Sequence, residues 1–460
     1  MRPRNQPARD QLPAALARNG PCSASALAKM LDVSVPTVHR LLRECGPSRI
    51  VCAGRAGRTR YALRRPLRGD PADIPVYEVD AQGTATAVAT LVLIEPGGSY
   101  CSVGASYWAV PAEARDGWWG GLPYPVYDMR PQGYMGRQLA RAEADRLRVA
   151  DNPEHWTDDD IVFVLARCGA DTSGNLILGN PAYESWQRGK IAGLIPVRES
   201  DVGPAYAAGA ERALAAGVPE SSAAGEFPKF AAVRELAGCA TPHVLVKFSG
   251  SDDSPAVRRW ADLLVCEHLA IECAGLLPQV AGASTRIVAH AGRTFLEVER
   301  FDRTGLFGRG PLCSLETLNA AFIGSDSADW SVLAAGLVQA DLLDRLDAQR
   351  IGLLWWYGRL IANTDMHLGN LSFRPRGRFE LVPVYDMLPM HYAPLPAGEL
   401  PVRVFTPPLP LPAQREAWRV ANAAATQFWE RAAADPRISP PFRAQCEANA
   451  DRLQALLAAV

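Results

Sequence analysis

Asn363-Thr364-Asp365-Met366-His367-Leu368-Gly369-Asn370 is the stretch on which the reading of the fold turns. It sets a carboxylate five residues ahead of an amide. Phosphoryl-transfer sites use that spacing to let an acid receive an acceptor hydroxyl's proton while the amide oxygen holds Mg²⁺. The preceding Ile351–Ile361 is apolar and helix-like, and Leu371–Phe373, a turn at Arg376-Gly377 and Phe379–Val384 form a hairpin pattern ending in Tyr385-Asp386. A hairpin returns its end to its beginning, so Asp386 is expected beside Asn370. Two hard oxygen ligands for one Mg²⁺ and a third polar group, the Asp365 carboxylate, then converge.

Working outward, Pro242-His-Val-Leu-Val-Lys247-Phe248 alternates like a strand and carries a lysine that is costly to bury unpaired. Protein kinases grip the α- and β-phosphates of ATP with such a strand lysine. The helical pattern Ala256–Ala274 that follows offers Glu267 as its partner. Ser221-Ser222-Ala-Ala224-Gly225-Glu226-Phe227-Pro228-Lys229 reads as a small-residue turn whose backbone amides can cradle phosphate. Neither a Walker A sequence nor Gly-x-Gly-x-x-Gly occurs. Taken singly, Asp365 or Asp386 fits a turn acid, His367 a hydrogen-bonded loop histidine and Lys247 an edge-strand charge; the order of the motifs favours chemistry.

Ser-x-x-Gly-x-x-x-Lys at 222–229, Val246-Lys247, Val298-Glu299-Arg300-Phe301-Asp302-Arg303, Asn363-Thr-Asp-x-His-x-x-Asn370 and Val384-Tyr385-Asp386 together resemble, in the same order, the motifs of the HipA family of bacterial serine/threonine kinases. The resemblance spans roughly residues 75–460, and with the N-terminal pattern described below it is similar to the YjjJ-like branch of that family. It implies a two-lobed kinase-like fold, ATP as phosphoryl donor, Mg²⁺, a protein hydroxyl as acceptor and the role of toxin in a toxin–antitoxin pair. Carried over by position, Asp365 becomes the catalytic base, Asn370 and Asp386 the Mg²⁺ ligands, and Lys247 the phosphate grip. His367 and Tyr385 line that pocket, Glu299, Arg300 and Phe301 form the adenine hinge, and Ala224 to Lys229 form the phosphate loop. Ser222 matches the family's autophosphorylated serine, with the adjacent Ser221 an open alternative. A double negative charge there would repel nucleotide. Glu226-Phe227 departs from the small or neutral residues more usual in that loop.

Residues 1–69 carry 14 Lys and Arg against 3 Asp and Glu, a net of +11 that leaves −12 on residues 70–460. Leu12–Arg18 stops at Asn19-Gly20; Ser23 or Ser25 caps a second helix with Ala26, Leu27, Met30 and Leu31 on one face. After the turn Asp32-Val33-Ser34, Ser34 caps a third helix with Pro36 in its first turn and Val38, Leu41 and Leu42 inward. Ile50–Ala53, Gly54–Arg58 and Thr59–Leu63 then turn like an arginine-studded two-stranded wing. This pattern resembles a winged helix-turn-helix. Ser34, Thr37, His39, Arg40 and Arg43 would face DNA from the third helix, and Arg55, Arg58 and Arg60 would meet phosphates from the wing. The competing reading is a basic domain docked on an acidic body.

The 460 residues are 48% hydrophobic, enough for roughly three compact units at about 150 residues each. We expect a winged helix-turn-helix at 1–69, a β-rich subdomain at 70–215, a kinase-like N-lobe at 216–303 and a helical C-lobe at 304–460, an α+β protein overall. Asp70–Pro75 reads as a linker, the pair 76–80 and 85–94 as a hairpin, and the aromatics from Tyr107 to Tyr134 as core. Asp158, Asp159 and Asp160 suit a solvated helix N-terminus better than a metal, because consecutive helical positions fan apart. The net charge of −1 gives no whole-chain case for a polyanion partner, and ten cysteines without a Cys-x-x-Cys pair suit a reduced compartment. No signal peptide or spanning stretch is evident, so a cytoplasmic protein without membrane contact is expected. Expected partners are ATP, an unidentified protein substrate, DNA through the N-terminal domain and a HipB-like antitoxin. Two rival functions remain: a DNA-binding regulator whose kinase-like body senses nucleotide, and a toxin acting directly on DNA.

Overall fold

The computed structural model describes residues 6–102, 107–215 and 227–460. At the N-terminus, helices Gln6–Asn19, Ala24–Met30 and Val35–Cys45 precede an antiparallel ribbon of Ile50–Ala53 with Arg60–Leu63. The Ser23 and Ser34 hydroxyls accept from the amides of Ala26 and Thr37, at 3.2 and 3.4 Å, and so satisfy helix-start donors. Leu12, Leu16, Leu27, Leu31, Val38, Leu41 and Ile50 close one small core. The second helix differs from expectation: Leu27, Ala28 and Leu31 are buried, whereas Met30 is 49% exposed, because the short helix is rotated toward its i+1 row. The ribbon does not close by a plain turn. Gly54 adopts φ +100°, and Ala56–Arg58 form one 3₁₀ turn between the strands.

The ribbon packs on the next unit, where Val51 and Ala62 meet Val92, Ile94 and Trp118. That unit is a five-stranded antiparallel sheet in the order Trp118–Trp119, Ser99–Tyr100, Ala85–Leu93, Ile74–Val79, Leu176–Leu178. The expected hairpin is present, with Val79 opposite Ala85. Trp118, Trp119, Tyr124 and Tyr134 are all buried. The segment is more helical than its aromatic, Gly-rich sequence suggested, since Gly133–Leu147, Asp158–Cys168, Asn180–Ala192 and Val202–Ala215 are all helices. The three aspartates are not simply solvated. Thr157 and Asp160 form a reciprocal capping box, Asp159 pairs with Arg65, and Asp160 pairs with Arg68.

A second sheet has the order Thr285–His290, Arg293–Glu299, His243–Phe248, Lys229–Val233. Strand alternation decides its two faces. Val244, Val246 and Phe248 pack with Val202, Tyr206 and Ala210 of helix Val202–Ala215, which turns Lys247 to the opposite face, toward helix Pro255–Ala274. Below lies a helical body of Trp330–Gln339, Arg345–Leu360, Arg415–Ala434 and Pro440–Ala459, with a small sheet of Cys313–Ser314, Ser372–Arg376 and Arg378–Leu381. The hairpin turns at Gly377, φ +83°, with Arg376 opposite Arg378. The middle unit is tied in by ions. Asp171 takes Arg300 at 3.1 Å and Arg303 at 2.7 Å, and the buried Asp302 takes the same two guanidiniums at 2.9 and 2.7 Å. All ten cysteines are thiols, and among the described residues no helix is long and apolar enough to cross a membrane.

Candidate active site

Lys247 stands in an interior strand, opposite Leu296 on one side and Lys229 on the other, and is 6% exposed. An ammonium so placed needs partners. Its Nζ donates to Glu267 Oε1 at 2.6 Å and Oε2 at 2.8 Å, and to Asp386 Oδ1. Glu267 comes from the middle of helix Pro255–Ala274, and Asp386 arrives from the far end of the hairpin. One lysine therefore joins the four-stranded sheet, its helix and the helical body.

Burial opposes charge on all three groups, and their resolution differs. At Asp386 the Lys247 ammonium, with Lys229 and His367 beyond it, overcomes burial and holds the carboxyl well below its usual range. Glu267 is pushed up to about 7 by burial, which Lys247 offsets and the charge of Asp386 reinforces. Burial alone would lower Lys247, but Asp386 and Glu267 together keep it above its usual value. The ammonium is thus charged at neutral pH, held between the two carboxylates.

The loop below is built by local hydrogen bonds. Helix Arg345–Leu360 ends with Ala362 in the left-handed region, φ 59°, and the Asn363 amide donates to Gly358 O at 2.9 Å. Asn363 Oδ1 accepts from the Asp365 amide at 2.9 Å, while its Nδ2 donates to Asp386 O at 3.3 Å. Asn370 Nδ2 donates to Asp365 O at 2.7 Å. The amide end of Asn370 is thereby used to shape the loop, and its oxygen is the end left to act as a ligand. Tyr385 is half-buried; its hydroxyl donates to Gly369 O at 2.9 Å and sits 2.7 Å from Ser372 Oγ. Val384 is stitched between Ala281 O and Ala283 N at 2.8 and 2.9 Å, which delivers Asp386, φ 55°, to Lys247. Asp365 and His367 are exposed at the rim, and His367 Nδ1 accepts from the Gly369 amide at 3.1 Å.

The donor set fits a hard cation: one carboxylate kept ionised by a lysine and one amide oxygen. Among the described residues no three His, Cys, Asp or Glu side chains converge as metal ligands, so a cation here would take its remaining oxygens from phosphate and water, as Mg²⁺ does.

The other expected site residues divide. Phe301 lies with its ring 5.6 Å from that of Tyr385, and its carbonyl accepts from Arg374 at 3.1 Å, so the hinge segment reaches the loop. The Arg300 side chain is turned into Asp171 and Asp302, its amide donates to His243 O at 3.0 Å, and the guanidinium is committed to structure. The Glu299 amide is likewise used, on Ser284 O at 2.9 Å. The Phe227 ring is buried edge-on to Trp260, 4.7 Å away. Pro228 is buried beside it, its carbonyl accepting from Phe248 N at 3.1 Å. Ser221, Ser222, Ala224, Gly225 and Glu226 lie outside the described residues. Asn363, Ser372 and Arg374 were missed; only Asn363 left a signal, an Asx-turn acceptor two residues before Asp365.

The residues expected to meet DNA are gathered on the N-terminal unit, apart from this cluster. His39, Arg40, Arg43, Arg55, Arg58 and Arg60 are exposed; Arg40 pairs with Glu44 at 3.1 Å, Arg43 Nε donates to His39 O at 3.2 Å, and Arg58 stands 3.9 Å from Asp116. Ser34 and Thr37 are joined as helix cap and capped turn, their hydroxyls 2.9 Å apart.

Residues 70–187 match the family described as YjjJ-like toxin, middle domain, and residues 221–456 match the HipA-like C-terminal domain. The chain is 37% identical to Toxin YjjJ of Escherichia coli (strain K12) over 425 residues, 92% of this chain and 93% of that one. Its fold is similar to a chain in the solved complex of the Shewanella oneidensis MR-1 toxin–antitoxin system, HipA, HipB and its operator DNA. That likeness has a TM-score of 0.50 at 16% identity, covering 84% of this chain and 96% of that chain. On the strength of these matches the chain belongs to the family of HipA-like toxins, in its YjjJ-like branch.

Proposed function

We propose that the chain is an ATP- and Mg²⁺-dependent serine/threonine protein kinase of the toxin class, with a winged helix-turn-helix at its N-terminus that binds DNA. The observation that carries the kinase reading is the convergence of Lys247, Glu267 and Asp386 above a loop that presents Asp365 and Asn370. In this reading Lys247 holds the nucleotide phosphates, and Asn370 and Asp386 hold Mg²⁺, which supplies charge neutralisation on those phosphates. Asp365, exposed at the rim, accepts the proton of the incoming protein hydroxyl as its oxygen attacks the γ-phosphorus in line and ADP departs. Phe301 and Tyr385 give the base an apolar wall.

Incubation with labelled ATP, Mg²⁺ and a proteome extract tests this. Label in wild type that falls by about 10²–10⁴-fold in Asp365→Ala is expected. Nucleotide binding without transfer would replace the kinase by a nucleotide sensor, and DNA cleavage surviving both Asp365→Ala and Asp386→Ala would point to chemistry on DNA.

For the N-terminal unit, the support is a capped third helix with exposed His39, Arg40 and Arg43 beside a ribbon with exposed Arg55, Arg58 and Arg60. The Shewanella complex contains HipB and operator DNA, and by analogy we propose a HipB-like antitoxin and DNA as partners of this chain. Duplex affinity should fall steeply with salt, and a flat salt response would remove the phosphate contacts.

A further inference from the structure

The middle unit is in direct contact with the floor of the proposed catalytic loop. We propose that Asp128 and Arg130 are positioning residues that hold the Asp365–Asn370 loop through the turn at Ser314–Thr317; the proposal rests on the kinase reading.

Asp128 follows the short helix Tyr124–Tyr127, and its carboxylate is the acceptor for three donors from the helical body. Oδ1 takes the hydroxyls of Ser314 at 2.6 Å and Thr317 at 2.5 Å, and Oδ2 takes the Ser314 amide at 3.1 Å. Ser314 is itself the cap of helix Leu315–Leu318, its oxygen accepting from the Thr317 amide at 3.3 Å. One residue of the middle unit therefore sets where that turn begins.

The turn touches the loop by three routes. Ser314 pairs with Ser372 across the small sheet, and the Leu315 amide donates to Leu371 O at 2.8 Å, immediately after Asn370. Ser372 Oγ meets the Tyr385 hydroxyl, which donates to Gly369 O, so the same strand residue steadies both the loop and the segment leading to Asp386. Beside them Arg130, stacked 4.2 Å over the Tyr127 ring, donates to Glu316 Oε1 at 2.9 Å; a Cβ added at Gly369 would stand 3.9 Å from the other Glu316 oxygen.

Burial pushes the Asp128 carboxyl upward, and the Ser314 and Thr317 donors, with Arg130 beside them, counter it. Asparagine has the same outline but one acceptor atom fewer. It must set an NH₂ against either the Ser314 amide or the two hydroxyls.

Steady-state transfer with Asp128→Asn, Arg130→Ala and the pair Thr317→Val and Thr317→Ser tests the proposal. A loop displaced by a fraction of an ångström should lose about ten- to a hundredfold in kcat, a larger change than in the KM for ATP, since Lys247 and Glu267 stand on other elements while Asn370 moves with the loop. Thr317→Ser keeps the hydroxyl and should restore the rate that Thr317→Val loses. Amide exchange across 363–371 should rise in Asp128→Asn and Thr317→Val but not in Thr317→Ser. Wild-type kcat in folded Asp128→Asn and Thr317→Val would overturn the positioning role. Should Asp128→Asn not fold, the threonine pair decides alone. Absence of transfer by wild type would instead sink the kinase reading, and unchanged exchange across 363–371 in Thr317→Val would then overturn the positioning role by itself.

Discussion

Lys247 has two carboxylates competing for it, and removing it takes the ammonium from the fully buried Glu267 and the partly exposed Asp386. Lys247→Ala is therefore expected to cost about 3–5 kcal/mol, the usual penalty of orphaning a buried charge, read from urea unfolding at pH 7. The pair was partly legible: a strand lysine demanded a partner and Glu267 stood within a helical pattern, but nothing in the spacing said that Asp386 would share the same nitrogen. Asp302 makes a second case. Burial would raise its carboxyl, but Arg300 and Arg303 prevail and lower it to about 2 from an ordinary 3.8. The unfolded chain then binds a proton at higher pH than the folded one. Stability is full above about pH 4 and is lost as pH falls toward 2, a contribution on the order of 2 kcal/mol. Asp302→Asn should flatten the stability profile across that window and lower stability at pH 7, measured by denaturant melts at stepped pH. The sequence set Arg300 in a hinge, and its commitment to Asp171, more than a hundred residues earlier, had no local trace.

At the scale of elements, Asp386 reaches Lys247 because the strand-like end of the hairpin crosses to Ala281 and Ala283, with Gly282 between them. A Cβ on Gly282 would stand 2.6 Å from the Ile271 carbonyl of helix Pro255–Ala274, a backbone atom that cannot yield by changing rotamer. Gly282→Ala should force the stitch away from the helix, costing about 1–3 kcal/mol of stability and weakening nucleotide binding, by thermal melting and by titration with an ATP analogue. The hairpin itself was readable from alternation and from Gly377, and the helix before the loop from its apolar run; both appear within a few residues of expectation. The stitch was not, because a bridge of two hydrogen bonds between segments a hundred residues apart leaves no periodicity.

For the whole molecule, the N-terminal unit is held to the middle sheet by an apolar patch and by Arg65 on Asp159 and Arg68 on Asp160, with Arg68 also 4.1 Å over the Phe163 ring. Both competing readings of the basic N-terminus thus have physical content, since some arginines dock it on the acidic body and others stay exposed. Arg65→Ala with Arg68→Ala should loosen the unit, with faster proteolysis across 70–73 and a larger radius in small-angle scattering, while ATP binding is unchanged. The same double variant should leave the salt slope of duplex binding unaltered, because neither side chain is among the exposed set at 40–60.

What sequence alone determined is what short-range physics writes into it: helix starts at Ser34 and at Ser23 or Ser25, turns at glycine, alternation that buries one face of a strand, and the acid–amide spacing from Asp365 to Asn370. Tertiary structure decided which distant charges share a partner. The low-dielectric interior makes an unpaired charge so costly that Asp386, Glu267 and Lys247, or Asp171, Arg300 and Arg303, must meet, yet which of many acids and bases meet is settled by packing across sheets and helices that no local pattern encodes.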